Sequence, residues 1–392
     1  MASEAPSAKR KKAFSFQFTR IDNATKFSPV NDGTGGEGTY GEVKRCRHVA
    51  TQQIVALKKI KTEQEANGFP QTALREIQIL KQLRHENIVQ LQSVAVVSKE
   101  CLYLPQHALP LLFTDKECPN LLPPEVKNTK SGKFCYMVLE FVDHDLNRIL
   151  TAIKAKKPAG SRKSPVSTTI FKGLALQMLR GLDHLEKNCV LHRDLKPANI
   201  LLSAQGVIKL ADFGLAKYHH PDVHNERKGH TALVCSQWYR PPELLAGQVS
   251  YPEKIDSWSL AVVMGELFNL DPLFDGRTSS ADGRTKAETY QFIQIQKLCG
   301  TDSFAWLEDC PLLPAKGHKK RQVSQRFNTL IARDRSSEAV VAFMDKALTV
   351  DPNHRLLAGE LLKWEHKGVS LFNGPTPTLM GPGLMSELNA IM

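Results

Sequence analysis

Acidic, amide and basic side chains crowd into two short stretches, H-R-D-L-K-P-A-N at His192 to Asn199 and D-F-G at Asp212 to Gly214. Asp194 could orient or accept a proton, and Lys196 could offset a nearby anion. Asn199 and Asp212 offer hard oxygen atoms of the kind that magnesium with ATP requires. Together these groups meet the needs of phosphoryl transfer: neutralised charge at the phosphates, a held metal ion and an oriented hydroxyl nucleophile. Chance coincidence of both motifs, in this order and at this spacing, is remote.

Upstream, G-E-G-T-Y-G sets Gly36, Gly38 and Gly41 around Glu37, Thr39 and Tyr40, with Val43 following. Glycine lets backbone amides approach phosphate oxygens that a Cβ would fend off, although such turns are common for purely local reasons. V-A-L-K then places Lys58 on a strand, where its ammonium would pair with nucleotide phosphates or simply be solvated. Glu76 favours the first reading. It sits on a helix beside the inward stripe of Ala73, Ile77 and Leu80, and a carboxylate next to a core face needs a cationic partner. Lys58 is the natural candidate, in a clamp that could be switched. W-Y-R-P-P-E, ending at Glu243, and Arg355 in D-P-N-H-R form a further expected ion pair, which would brace the fold rather than touch substrate.

These residues need a scaffold, and the chain supplies one. Its 392 residues suit one large two-lobed domain or two ordinary ones. Strands are expected over about 38–61, then a helix in G-F-P-Q-T-A-L-R-E-I-Q-I-L-K-Q-L with Pro70 in its first turn, then the strand F-C-Y-M-V-L-E-F. Beyond about residue 145 the pattern is mainly helical. A basic stretch, K-A-K-K-P-A-G-S-R-K-S-P, precedes the helix T-T-I-F-K-G-L-A-L-Q-M-L-R-G-L-D-H-L-E-K. Strands first and helices afterwards indicate an α+β chain, a small β-rich lobe joined to a larger helical one. The boundaries expected are a disordered basic arm at 1–25, an N-lobe at 26–142 containing an insertion at 101–133, a C-lobe at 143–370 and a tail at 371–392.

Composition narrows the setting. Hydrophobic residues at 42% and charged residues at 23% are ordinary for a soluble globular chain. No apolar run reaches the length of about 18 residues that a membrane span needs. The start lacks the apolar core of a secretory signal, so an intracellular protein is expected. Lys9 to Lys12 read as a nuclear-import signal or a solubilising tail, giving the nucleus, or else the cytoplasm, as the location. The eight cysteines form no CxxC pair and read as free thiols. A net charge of +12 would suit nucleic acid, an acidic peptide or a phosphorylated tail. No zinc-finger spacing, aromatic RNA-binding signature or long basic helix supports nucleic acid as the main partner.

The motif set is the known signature of protein kinases. Over about residues 27–370 the sequence resembles the cyclin-dependent branch of the eukaryotic protein kinases, with their bilobal fold. H-E-N-I-V-Q-L, E-F-V-D-H-D-L, W-Y-R-P-P-E-L-L, G-F-P-Q-T-A-L-R-E and the ending M-S-E-L-N-A-I-M bring it nearest the transcriptional, cyclin T-associated kinases of the positive transcription elongation factor b type. The resemblance implies ATP and Mg2+ as cofactors and a cyclin partner, cyclin T-like. It implies serine or threonine before proline as the target, with the RNA polymerase II C-terminal domain as a candidate substrate. Leu139 would be the gatekeeper, Glu140 to Val142 the hinge, and Ala56 and Leu201 the two sides of the adenine slot, with Asp145 near the ribose. Thr231 matches the activating phosphorylation site, gripped by Arg75, Arg193 and Lys217, and Thr39 and Tyr40 match inhibitory positions. Departures include Gly35 in place of a bulky apolar residue, Gln71 in place of Ile, Ser236 and Gln237 in place of Thr and Leu, and Ala261 in place of Gly. Two other readings stand beside this one: a cell-cycle kinase, and a kinase fold kept as an inactive scaffold.

Overall fold

The computed structural model describes residues 26–29, 36–38, 41–48, 51–60, 70–98, 109–110, 133–219, 236–248, 253–276, 287–307, 310, 319–372 and 382–392. Expectations for the arm at 1–25, for Gly35, Thr39, Tyr40 and Thr231, and for most of 101–133 lie outside these residues. The chain forms two compact units. One takes the described residues up to Leu74 and Leu91–Phe141; the other takes Arg75–Gln90 and Val142–Met392.

The first unit is a sheet of β1 (Lys26–Pro29), β2 (Gly36–Gly38), β3 (Gly41–His48), β4 (Ile54–Ile60), β5 (Leu91–Ser98), β6 (Leu109–Pro110) and β7 (Lys133–Glu140). Its order is β5-β7-β4-β3-β1-β6, with β2 also paired to β3. Val55, Leu57 and Ile60 of β4 and Cys135 to Val138 of β7 are buried, which suits central strands rich in β-branched and apolar residues. His48 N donates to Gln53 O at 2.8 Å and closes the β3–β4 turn. Within the stretch expected to be an insertion, Leu109–Pro110 pairs with β1, and β7 already begins at Lys133. Helix α1 (Gln71–Gln82) starts just after Pro70, and the boundary between the units falls inside it.

The second unit is mainly helical. It opens with β8 (His144–Asp145) and α2 (Leu146–Lys156), where the Asp145 carboxylate caps the helix by accepting from Arg148 N at 2.9 Å. Helix α3 (Thr168–Lys187) is capped by Ser167, whose hydroxyl accepts from Ile170 N at 3.1 Å. Its side chains are buried almost all round. Gly181 is required there, because a Cβ would stand 2.9 Å from Asn87 O. Short strands follow: β9 (Val190–Leu191), β10 (Ile200–Leu202), β11 (Ile208–Leu210) and β12 (Lys217–Tyr218). Strands β8, β10 and β11 form one ladder, and β9 pairs with β12. Residues 87–89 join this unit by exchanging backbone bonds with Leu210, Val89 N to Leu210 O and Leu210 N to Asn87 O, both 2.9 Å.

The remainder comprises α4 (Pro242–Leu245), α5 (Ile255–Asn269), α6 (Ala287–Cys299), α7 (Val323–Leu330), α8 (Ser337–Ala347), α9 (Ala358–Lys363), the β13–β14 ladder (Glu365–His366 with Val369–Ser370) and α10 (Pro382–Ile391). Helix α5 is the hub, buried on every face from Ile255 to Phe268, with contacts to α3, α7 and α8. Ala261 is fully buried inside it. The expected ion pair forms: Glu243 Oε1 and Oε2 accept from Arg355 Nη1 and Nη2 at 2.7 and 2.9 Å, with both side chains buried. The stretch read as a tail contains a helix, α10, which buries Leu384, Met385 and Leu388 and packs on α3.

Candidate active site

In the first unit, strand register gathers the expected nucleotide-binding residues on one face. Val43 stands opposite Lys58 and Gly36, Lys58 opposite Met137, and Ala56 opposite Leu139. Directly opposed residues in an antiparallel ladder share a face, as do residues two apart along a strand. Gly36, Val43, Ala56, Lys58 and Leu139 therefore lie together. Glu37 pairs with Glu42 and Gly38 with Gly41 at the β2–β3 end of the same ladder. Lys58 is only 7% exposed, and Glu140 at the end of β7 is half-buried.

In the second unit the chemistry converges on the loop between β9 and β10. Asp194 Oδ2 accepts from Lys196 Nζ at 2.8 Å and from Asn199 Nδ2 at 3.0 Å. Oδ1 accepts from the Ser236 hydroxyl at 2.7 Å and from Ser236 N at 3.1 Å. Lys196 Nζ also donates to Ser236 Oγ at 3.0 Å, so four side chains form one closed network. The loop backbone is fixed from below by Asp256, the second residue of α5. Its Oδ2 accepts from His192 N at 2.6 Å and its Oδ1 from Arg193 N at 2.8 Å. Burial pushes the Asp256 carboxyl up from its usual range, and the two amides, with the charges of His192 and Arg193, oppose that shift.

The D-F-G segment is tied to the same loop. Ala211 N donates to Asn199 O at 2.9 Å, and the Ala211 carbonyl meets His192 Nε2 at 2.9 Å. The buried Phe213 ring packs on His192, with centroids 4.8 Å apart. Arg193 and Asp212 both take left-handed backbone, φ 65° and 63°. Non-glycine residues seldom adopt it, and such strain persists where the surrounding structure over-determines it. Arg193 Nε donates to Leu215 O at 2.7 Å, and Lys217 lies in β12, two residues further along. Asp145 and Leu201 face each other across the β8–β10 ladder. Val142 opens this unit, half-buried, while Arg75 is half-buried and Glu76 buried on α1.

Ser236 and Asp256 join the site only in the folded chain. Ser236 was legible only as a departure from Thr, a change that keeps the hydroxyl. Asp256 lies 57 residues beyond the end of H-R-D-L-K-P-A-N, and only folding brings its carboxylate to that loop's amides.

A match to the protein kinase domain covers residues 31–366. The chain is 33% identical to cyclin-dependent kinase 9 of Homo sapiens over 365 residues, which is 91% of this chain and 83% of that protein. It is 35% identical to cyclin-dependent kinase C-2 of Oryza sativa subsp. japonica over 332 residues, 84% of this chain and 57% of that protein. It is also 35% identical to cyclin-dependent kinase 12 of Drosophila melanogaster over 346 residues, 88% of this chain but 26% of that much longer protein. The fold and the site place the chain among the protein kinases. Within them, it belongs to the cyclin-dependent kinase family.

The reaction of that family uses ATP with a divalent metal, and the donor set fits. Asn199 commits its nitrogen to Asp194 O and Oδ2, at 2.8 and 3.0 Å, which turns its amide oxygen away from them. With Asp212 it would give a hard cation two protein oxygens, the usual complement where phosphates and water supply the rest. Among the described residues no group of three His, Cys, Asp or Glu side chains is placed to hold a metal by itself.

Proposed function

We propose that the protein is a cyclin-dependent serine/threonine kinase that moves the γ-phosphoryl group of ATP, held with Mg2+, to serine or threonine followed by proline. The carrying observation is the Asp194 carboxylate, held on both oxygens by Lys196, Asn199 and Ser236. Such a carboxylate keeps one orientation, so an incoming hydroxyl would be aligned by Asp194 without reorganisation of the site. Lys196 would neutralise charge on the transferred group. Asn199 and Asp212 would hold the metal, whose chemistry when bound is to offset the phosphate charge. Lys58, with Gly36, Gly38, Gly41, Val43, Ala56 and Leu139, would take the nucleotide, and Glu76 would carry the switch role. The complete catalytic set favours an enzyme over a scaffold.

The finer assignment follows the sequence resemblance. A cyclin T-like partner, the RNA polymerase II C-terminal domain as substrate and action in the nucleus are all part of the proposal, with Thr231 as the activating phosphosite gripped by Arg75, Arg193 and Lys217. The test is phosphate transfer from labelled ATP to a heptad-repeat polymerase-tail peptide, with cyclin T added and omitted. Cyclin-dependent labelling of serines before proline is the expected result. No transfer despite confirmed complex formation and phosphorylated Thr231 would overturn the transcriptional assignment, and labelling only with a cell-cycle cyclin would redirect it.

A further inference from the structure

The basic stretch between α2 and α3 takes no part in the proposed reaction, yet the structure fixes it firmly. Lys163 Nζ donates to Asn328 O at 2.9 Å and to Ile331 O at 2.7 Å, and Ser164 N donates to Leu330 O at 2.8 Å. These bonds lash the α2–α3 connection to the end of α7. The connection from α7 to α8 is pinned in turn: Asp334 accepts from the Thr168 hydroxyl and, at 2.8 Å, from Ser336 N. Two loops distant in sequence thus share one surface of the helical unit.

That surface is rich in positive charge. Lys156 at the end of α2, Arg162 in the connection after it, and Arg333 and Arg335 from the other connection are exposed, and Lys157 is half-buried. None of the five makes an ion pair among the described residues. The carboxylates on or beside these connections are already engaged, Asp271 with Lys154, Asp334 with its hydroxyl and amide donors, Glu338 with Lys367 and Glu387 with the Ser167 hydroxyl. Cations held together by a hydrogen-bonded scaffold repel one another, and an arriving polyanion relieves that repulsion.

We propose that this surface is a docking site for a peptide carrying two or more phosphate groups. Arginine forks match the oxygens of a phosphate monoester two at a time, and a monoester carries more charge per phosphorus than a nucleic-acid diester. Single-stranded nucleic acid also needs aromatic platforms for its bases. The exposed large hydrophobic residues among those described are Trp238 and Val369, and neither lies in these connections. The site goes beyond the proposed phosphate transfer and stands apart from it.

The experiment is fluorescence anisotropy on the full chain, without ATP or cyclin. The probes are a labelled Ser-Pro repeat peptide bearing four phosphoserines, its unphosphorylated form, and a single-stranded RNA of equal length. The phosphorylated peptide is expected to bind at least about tenfold more tightly than the unphosphorylated one. Combined Arg162→Glu, Arg333→Glu and Arg335→Glu substitution should erase that margin while leaving the melting temperature in place. Where charge reversal disturbs the fold, the corresponding Gln substitutions should still remove most of the margin. Phosphopeptide affinity unchanged in either variant would overturn the proposal. So would RNA binding more tightly than the phosphopeptide and losing that affinity in the same variants.

Discussion

Asp194 accepts four hydrogen bonds through its two carboxylate oxygens, and each donor is a handle on the proposed chemistry. Asp194→Asn keeps the shape and removes the charge, so turnover should fall by about 10²–10⁴-fold, the range typical of a positioned acid or base. Unchanged turnover with saturating ATP and bound cyclin would sink the assignment. Ser236 gives a finer test. Its hydroxyl donates to Asp194 and accepts from Lys196, at 2.7 and 3.0 Å. Hydrogen bonds to charged groups contribute about 1.5–3 kcal/mol, and a contribution realised only in the transition state corresponds to roughly ten- to a hundredfold in rate. Ser236→Ala should therefore lower kcat within that range with little change in KM for ATP, while Ser236→Thr restores it. Equal kcat for the alanine and threonine variants would show that the hydroxyl is idle.

At the scale of elements, legibility followed the range of the signal. Helix α3 is legible in the sequence because its apolar residues form one long contiguous run, whereas its cap, Ser167, shows only in the structure. Strands β3, β4 and β7 were readable for the same local reason. The two-residue β6 has too few positions to show a period, and its pairing with β1 is set by a distant strand. The Pro and Gly residues from about Gly374 onward give 371–392 the look of a tail; within it the stripe of Leu384, Met385 and Leu388 is too short to stand out, and packing on α3 secures α10. The Glu243–Arg355 pair was legible as a pair of residues, though its degree of burial was not. That burial fixes its energetics. Arg355→Ala would leave Glu243 enclosed without its partner, at a cost of about 3–5 kcal/mol. Denaturant titration measures this directly, and a loss under about 1 kcal/mol would mean that water reaches Glu243 in the variant.

For the molecule as a whole, the half-buried Glu186 and the buried Glu266 tie stability to pH. Glu186, near the end of α3, accepts from Ala358 N at 2.9 and 3.0 Å and from the Ser257 hydroxyl at 3.2 Å, joining α3 to the starts of α5 and α9. Glu266 on α5 accepts from the Tyr239 hydroxyl at 2.9 Å. Burial pushes each carboxyl up to about 7, outweighing the bonds that favour the charged form. A raised pKa means that the folded chain holds a proton the unfolded chain has lost. The stability these groups contribute is therefore complete below the unfolded value near 4.5 and is lost as pH rises through about 7. Gln keeps an acceptor oxygen at each site and cannot ionise. A chain with both Glu186→Gln and Glu266→Gln should gain stability relative to the parent as pH rises from 5 to 8, with the two converging at the acid end. Melting temperatures of both chains across that interval give the comparison, and parallel curves would mean that both glutamates ionise in the folded chain as they do in the unfolded one.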